Sequence, residues 1–399
     1  MRVRLGGREC LYVPSCRFGL YLALRHWCRP GGRVLMSPVN DDVIFFVVLA
    51  AGLRPVQAPL DPRDGSVDTA AVPESVWRGL SAVLTTNLYG NPDPAPELRE
   101  RCDRLGIPLI EDAAHAIGST VGGRPVGTYG EASVFSLSKH TAAKAGGFLA
   151  LADPALRGEL AAARDALLHP TRPTAELAYL LRPYAEATLR GLRLVGAARA
   201  AVRRLGLEER EEIRMPLRAA ALERALPAAP ALEPFHPWVR VDMHDYRLRP
   251  GAGRLRRTTR RLDRLDGVLA AHRDGTARLL ASEYGAPDAP APASASASAF
   301  APAEPVQPLF RVPLLVDDRD AAIDALARRR ITTGYVYDPP LDSYAGEAFT
   351  DPSPAPEPAA WFARHALPVD PRRADEVLPV LRAAGIRPAH LSAAPGGAR

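Results

Sequence analysis

Lysine is almost missing from this chain. Its 399 residues include 51 lysines and arginines together, yet lysine occurs only at Lys139 and Lys144. Arginine stays protonated and cannot act as an amine nucleophile, whereas a desolvated lysine can. Any amine chemistry is therefore confined to one short window of the sequence. Cysteine is scarce too: Cys10, Cys16, Cys28 and Cys102 include no C-x-x-C pair, which argues against a disulfide framework and for a reduced, cytoplasmic setting. No apolar run reaches membrane length. The longest, Val43 to Leu53, is too short to span a bilayer and reads as a buried helix. The first residues, Met1 to Gly6, show no apolar signal-peptide core behind them. The histidines have no metal-ligand spacing, so no metal is expected. Excess charge is small as well. A net +6 favours small anionic partners but is too weak over this length to argue for nucleic acid.

What is present is an alternation of short β-like and helical runs. Arg17 to Cys28, Asp42 to Gly52 and Glu97 to Gly106 read as helices, the last two stopped by their glycines. Arg33 to Met36, Arg54 to Leu60, Ala82 to Thr85, Pro108 to Asp112, Ala132 to Leu137 and Phe148 to Ala152 read as strands. This pattern predicts an α/β fold, a mostly parallel sheet with helices on both faces, whose ligands bind beyond the carboxyl ends of the strands. Residues 153–230 are rich in Ala, Leu and Arg and read as helical, and so does Arg254 to Leu280, with Leu255, Leu262, Leu265 and Leu269 on one face. Residues 286–308 are Ala/Pro/Ser-rich and read as a flexible loop. Beyond them, Phe310 to Val316 and Thr332 to Tyr337 read as strands, and Asp320 to Arg329 and Ala374 to Ala384 as helices. The resulting division is a large α/β domain over 1–230, a helical connection over 231–285, the 286–308 loop, a small α/β domain over 309–391 and a tail over 392–399.

The chemistry concentrates between residues 110 and 147. Asp112 closes an apolar strand, so its carboxylate is expected at the ligand-binding edge, and Lys139 follows another strand at the same edge. A buried acid beside a buried lysine suits pyridoxal phosphate. That cofactor needs an amine to form an imine, and a carboxylate to keep its ring nitrogen protonated. Ser136 offers a hydroxyl for the phosphate, and Gly146-Gly147 allow a tight backbone turn below the site. Lys144 remains the rival amine. The arginines from Arg254 to Arg264 suit nucleic acid, a nucleotide substrate's phosphates or, more simply, the solvated face of an amphipathic helix.

The residues from Glu111 to Gly147 resemble the DegT–DnrJ–StrS family of sugar aminotransferases, a branch of the fold type I pyridoxal-phosphate enzymes. The family's E-D-A-A-Q-A-x-G appears here as Glu111-Asp112-Ala113-Ala114-His115-Ala116-Ile117-Gly118. Gly127-Thr128-Tyr129-Gly130, Phe135-Ser136-Leu137, Lys139 and Gly146-Gly147 follow in family order. Asn87-Leu88-Tyr89-Gly90-Asn91-Pro92 is similar to its H-L-Y-G-N-P, and Leu367-Pro368-Val369 extends the likeness towards the C-terminus.

The resemblance implies that Lys139 is the Schiff-base lysine, seven residues before Gly146 as in the family. It implies that Asp112 pairs with the pyridine nitrogen, that Ser136 binds phosphate, and that His115, where the family has glutamine, faces the cofactor's phenolic oxygen. Asn87 is placed beside the cofactor. Ser15, Cys16 and Arg17 stand at the phosphate-binding turn, with Cys16 replacing a glycine and Arg17 a threonine. The aromatic that stacks on the ring is replaced by Pro38-Val39-Asn40-Asp41-Asp42. The N-x-R-M that reaches into a neighbouring subunit has two counterparts without the asparagine, Glu212-Ile213-Arg214-Met215 and the turn at Gly253-Arg254. Tyr335 and Tyr337 resemble the segment lining the substrate side, although a packed strand explains them equally well. The expected activity is transfer of an amino group from an amino acid, by family analogy glutamate, to a keto-sugar, nucleotide-linked or not, or a related ketone, in a homodimer. Dehydration, decarboxylation, racemisation or carbon–carbon chemistry on the same cofactor, and a non-catalytic descendant, are the alternatives.

Overall fold

The computed structural model describes residues 1–141, 143, 145–174, 176–177, 214–241, 245–285 and 306–391. Lys144, much of the expected 153–230 helical stretch, Glu212 and Ile213, most of the 286–308 loop and the 392–399 tail lie outside the described residues.

Seven strands form the central sheet in the order β1-β9-β8-β5-β4-β2-β3. They are β1 (Glu9–Val13), β2 (Arg33–Met36), β3 (Arg54–Gln57), β4 (Ala82–Thr85), β5 (Leu109–Asp112), β8 (Ala132–Ser136) and β9 (Gly147–Leu151). A two-stranded hairpin, β6 (Thr120–Val121) with β7 (Arg124–Pro125), interrupts the sequence between β5 and β8. The pairs β3–β2, β2–β4, β4–β5 and β5–β8 are parallel, and β9 runs antiparallel to both β8 and β1. Every residue of β4, β5, β8 and β9 is buried, as expected for strands covered on both faces.

The helices α1 (Cys16–Trp27) and α2 (Asp42–Ala50) pack one face of the sheet, in a core that includes Phe18, Phe45, Phe46 and Trp238. All nine residues of α2 are buried, which bears out the reading of that apolar run as an internal helix. The short α3 (Glu74–Arg78) and α4 (Ala95–Leu105) cover the other face through Trp77, Leu98 and Cys102. A second small sheet, β10 (Val312–Leu315) antiparallel to β11 (Ala366–Val369), carries the helices Arg319–Arg328 and Ala374–Ala383 on a core of its own.

Four local expectations need correction. Strand β1 was not anticipated from the sequence. Residues 332–337 form no strand, because their backbone groups are satisfied individually: Gly334 N donates to Pro368 O, Tyr89 Oη to Tyr335 O and Arg214 to Tyr337 O. The 153–230 stretch is not continuously helical where described. The helix α5 (Arg157–Leu167) gives way to extended backbone at Leu168, and His169 pairs with Leu248 in an isolated bridge. Arg254 to Leu280 is two helices, Ala252–Leu262 and Leu265–Leu280, with Leu255 exposed while Leu265 and Leu269 are buried.

Candidate active site

The carboxyl ends of the parallel strands converge on a cavity of about 400 Å3. Strand β1 delivers Ser15, Cys16 and Arg17 at the start of α1, β5 delivers Asp112 and His115, and β8 delivers Ser136, Ser138 and Lys139. Because β9 runs the other way, its preceding residues, Ala145 and Gly146, reach the same edge. The glycine pair there has a steric reason. A Cβ on Gly146, at φ +99°, would lie 2.7 Å from the Tyr12 hydroxyl, and one on Gly147 would lie 2.4 Å from Phe135 O.

Lys139 and Asp112 share this cavity. Burial pulls the Lys139 ammonium below the ordinary lysine value, against the attraction of the Asp41 carboxylate. Its Nζ lies 5.4 Å from the centre of the Phe310 ring and 5.9 Å from that of Tyr335. Burial pushes the Asp112 carboxyl up to about 7. Its Oδ1 accepts from Ala114 N at 3.0 Å and from the Cys16 thiol at 3.8 Å. Asp112 thus ends a fully buried strand with one oxygen held and little to neutralise its charge.

His115 lies flat between two rings, 6.3 Å from Tyr89 and 5.1 Å from Phe310. Burial and the neighbouring Lys139 charge drive its pKa well below the usual histidine value, so the imidazole is neutral. Tyr89 stacks in turn on Tyr337 at 5.6 Å. Tyr335 stands at the mouth of the cavity, 47% exposed.

At the start of α1, Ser15 caps the helix by accepting from Phe18 N at 3.3 Å and donates to Tyr246 O at 3.1 Å. The Arg17 guanidinium lies 5.4 Å from the Tyr246 ring. Ser136 Oγ and Ser138 Oγ are 2.8 Å apart. A helix N-terminus beside an arginine and a hydroxyl pair is a setting for an anion.

Two predicted residues are elsewhere. Asn87 does not line the cavity. Held in a left-handed conformation (φ 45°), it donates from Nδ2 to Thr85 Oγ1 and Asp112 O, both at 2.9 Å, and so ties β4 to β5 below the site. Arg254 is also outside the lining; it is buried and ion-paired with Glu176 at 3.0 Å. Its neighbour Arg261 donates to Thr141 O, so the arginine run is partly structural. In contrast, Tyr335 and Tyr337 do line the cavity.

Sequence reasoning passed over Asp41, Asp245, Tyr246 and Ser138, all of which line it. Asp41 carried a usable signal, since it is the N-cap of α2 and accepts from Val43 N at 3.0 Å. Tyr246 comes from a stretch with no periodicity to mark it. Among the described residues no group of His, Cys, Asp and Glu could hold a metal ion, and no helix is long and apolar enough to cross a membrane.

A mostly parallel seven-stranded sheet with one reversed strand, and a lysine and carboxylate meeting at its carboxyl edge, is the architecture of the fold type I pyridoxal-phosphate-dependent transferases. Residues 2–170 match the model of the DegT/DnrJ/EryC1/StrS aminotransferase family, so the resemblance read between Glu111 and Gly147 is borne out. The L-glutamine:scyllo-inosose aminotransferase of Streptomyces griseus is 38% identical over 159 residues, covering 39% of this chain and 38% of that protein. The UDP-N-acetyl-3-dehydro-alpha-D-glucosamine 3-aminotransferase of Acidithiobacillus ferrooxidans is 31% identical over 150 residues, covering 37% and 41%. The chain therefore spans about two fifths of the length of these curated relatives. Among solved structures, E. coli GDP-4-keto-6-deoxy-D-mannose-3-dehydratase with bound hydrated PLP superposes with a TM-score of 0.64 at 16% identity, covering 96% of this chain and 88% of that one. At that identity the likeness is one of fold.

Proposed function

We propose that this chain is a pyridoxal-phosphate-dependent aminotransferase, moving an amino group from an amino-acid donor to a keto-sugar or a related cyclic ketone. The observation that carries the reading is the meeting, in one cavity, of a half-buried lysine whose charge is disfavoured by desolvation and a buried, poorly neutralised carboxylate. The aminotransferase names of the two curated relatives support the reaction type and the ketone class.

The residues present suit the cofactor. Asp112, raised to about 7 by burial, calls for a cationic N–H partner, and a protonated ring nitrogen supplies one. Ser136, Ser138, Arg17 and the α1 N-terminus suit a phosphate. When bound, the cofactor supplies an electron sink next to the carbon that gains or loses its amino group.

The chain's own residues then have distinct tasks. Lys139 would hold the cofactor through its Nζ and, as a free amine, would move the proton at the substrate carbon. Its lowered pKa leaves more of the amine neutral, as a base requires. Asp112 would keep the ring nitrogen protonated. Neutral His115, held by stacking on Tyr89 and Phe310, would orient the ring. Tyr335 and Tyr337 border the acceptor's side. A homodimer and glutamate as donor complete the reading.

His115 in place of the family's glutamine favours one second reading, in which the same cofactor serves a reaction other than transamination. One experiment tests both. The purified protein is reduced with borohydride and the modified peptide located by mass spectrometry, for the wild type, Lys139→Ala and Lys144→Ala, and amino donors are then screened. The expected adduct sits on Lys139, disappears in Lys139→Ala, and gives way to the amine form of the cofactor when a donor is added. An adduct on Lys144 overturns the site assignment. Retention of the aldehyde form with every amino donor favours the second reading.

A further inference from the structure

Cys16 has no counterpart in the expected chemistry: it stands where the family resemblance calls for a glycine. It opens α1 directly after the Ser15 cap, and from there its thiol reaches Asp112 at the end of β5, with Sγ 3.8 Å from Oδ1. Both residues line the cavity. We propose that Cys16 is a positioning residue for Asp112, its S–H donating to Oδ1 so that this oxygen is fixed and Oδ2 is the one presented to the cofactor's ring nitrogen. The proposal rests on the reading of Asp112 given above.

Three observations favour this role over simple packing. First, Oδ1 already accepts from Ala114 N at 3.0 Å, so the thiol completes a two-donor grip on one oxygen; among the described residues none donates to Oδ2. A carboxylate held this way has its rotamer set before any ligand arrives, which spares the ordering cost on binding. Second, the thiol is kept as a donor. Burial and the facing Asp112 carboxylate push its pKa well above the ordinary thiol value, so Cys16 stays protonated and is neither nucleophile nor second anion. Third, a donor to Oδ1 lowers the carboxyl's pKa while burial raises it. The contact therefore helps keep Asp112 in the charged form that a ring N–H needs.

The test uses Cys16→Ala, which removes the donor, Cys16→Ser, which keeps an O–H donor, and Asp112→Asn as the reference. Two quantities are read: cofactor affinity of the apoprotein by fluorescence titration, and the pH midpoint of the buried carboxyl's infrared C=O band, assigned by its loss in Asp112→Asn. Cys16→Ala is expected to bind the cofactor about fivefold more weakly, the order of one net hydrogen bond, and to shift the midpoint upward. Cys16→Ser is expected to restore both. If Cys16→Ala leaves affinity and midpoint unchanged, or if Cys16→Ser behaves like Cys16→Ala, the proposal is overturned. If Asp112→Asn itself binds the cofactor as tightly as the wild type, the role of Asp112 fails, and with it the functional reading. A loss seen in Asp112→Asn but not in Cys16→Ala removes Cys16 alone.

Discussion

At the scale of single residues, the site is a set of charges placed where water does not help them. Asp112 states this most plainly. Its carboxyl moves from 3.8 to about 7 because the strand end is desolvated and, among the described residues, only Ala114 N and the Cys16 thiol donate to it. A carboxyl whose folded pKa is raised is easiest to bury while protonated. Its contribution to the apoprotein's stability is full below pH 3.8 and is lost as pH rises through about 7. The shift bounds the loss at roughly 4 kcal/mol. The stability difference between wild type and Asp112→Asn, followed by denaturant unfolding of the apoprotein, should therefore move against the wild type from pH 4 to 7 and then level off. A difference that stays constant with pH would contradict this account. Lys139 and Asp112 were both legible in the sequence, because lysine is nearly absent and an acid closing an apolar strand is conspicuous. Asp245 and Tyr246 were not. They arrive at the cavity by tertiary approach from a segment that carries no periodic pattern.

At the scale of elements, the motif spacing acquires a mechanical cause. Glu111, the neighbour of Asp112, points away from the cavity's chemistry and accepts from Gly127 N, Tyr129 N and Gly130 N, all at 2.7 Å. One fully buried carboxylate thus closes the turn that launches β8, the strand delivering Ser136 and Lys139. The E-D dipeptide and the distant G-x-x-G are therefore two halves of one contact, which neither reveals alone. Glu111→Ala leaves three buried N–H groups without that acceptor. At about 1–2 kcal/mol for each, it should destabilise the protein by several kcal/mol. Glu111→Gln, which keeps one carbonyl oxygen, should lose less. Urea unfolding checks both, and a loss under about 1 kcal/mol for Glu111→Ala would refute the mechanism. Strand and helix periodicity located most elements to within a few residues, as for Ala132–Ser136 and Asp42–Ala50. It failed at residues 332–337, where Tyr335 and Tyr337 alternate as a strand would. There the backbone is held by Tyr89, Arg214 and Pro368 instead of a neighbouring strand.

At the scale of the whole molecule, the alternation of elements announced the α/β class, but not how the C-terminal part closes on the sheet. Residues 309–391 carry the β10–β11 sheet and its own core. Their other side is committed to the large sheet. Asp351 bridges Arg33 on β2, at 2.7 Å, and Arg54 on β3, at 2.6 Å, while Thr350 accepts from Gln57. Asp351 also pairs with Val56, so this segment shields the edge that β3 would otherwise expose. The helix Glu357–His365 sends Trp361 and Phe362 into the core shared with Val56, Leu88 and Leu98. Phe362 has so little room there that a Cβ on Gly65 would lie 2.6 Å from its ring. Exposing two such aromatics forfeits about 2–3 kcal/mol each, a large share of what a segment of this size can hold in reserve. We therefore expect residues 309–391, produced alone, to lack cooperative thermal unfolding and a dispersed amide NMR spectrum. The full chain should unfold these residues together with the large sheet. A folded, cooperatively melting fragment would show instead that the small sheet's own core suffices, and that the contacts at Asp351 and Phe362 only dock it.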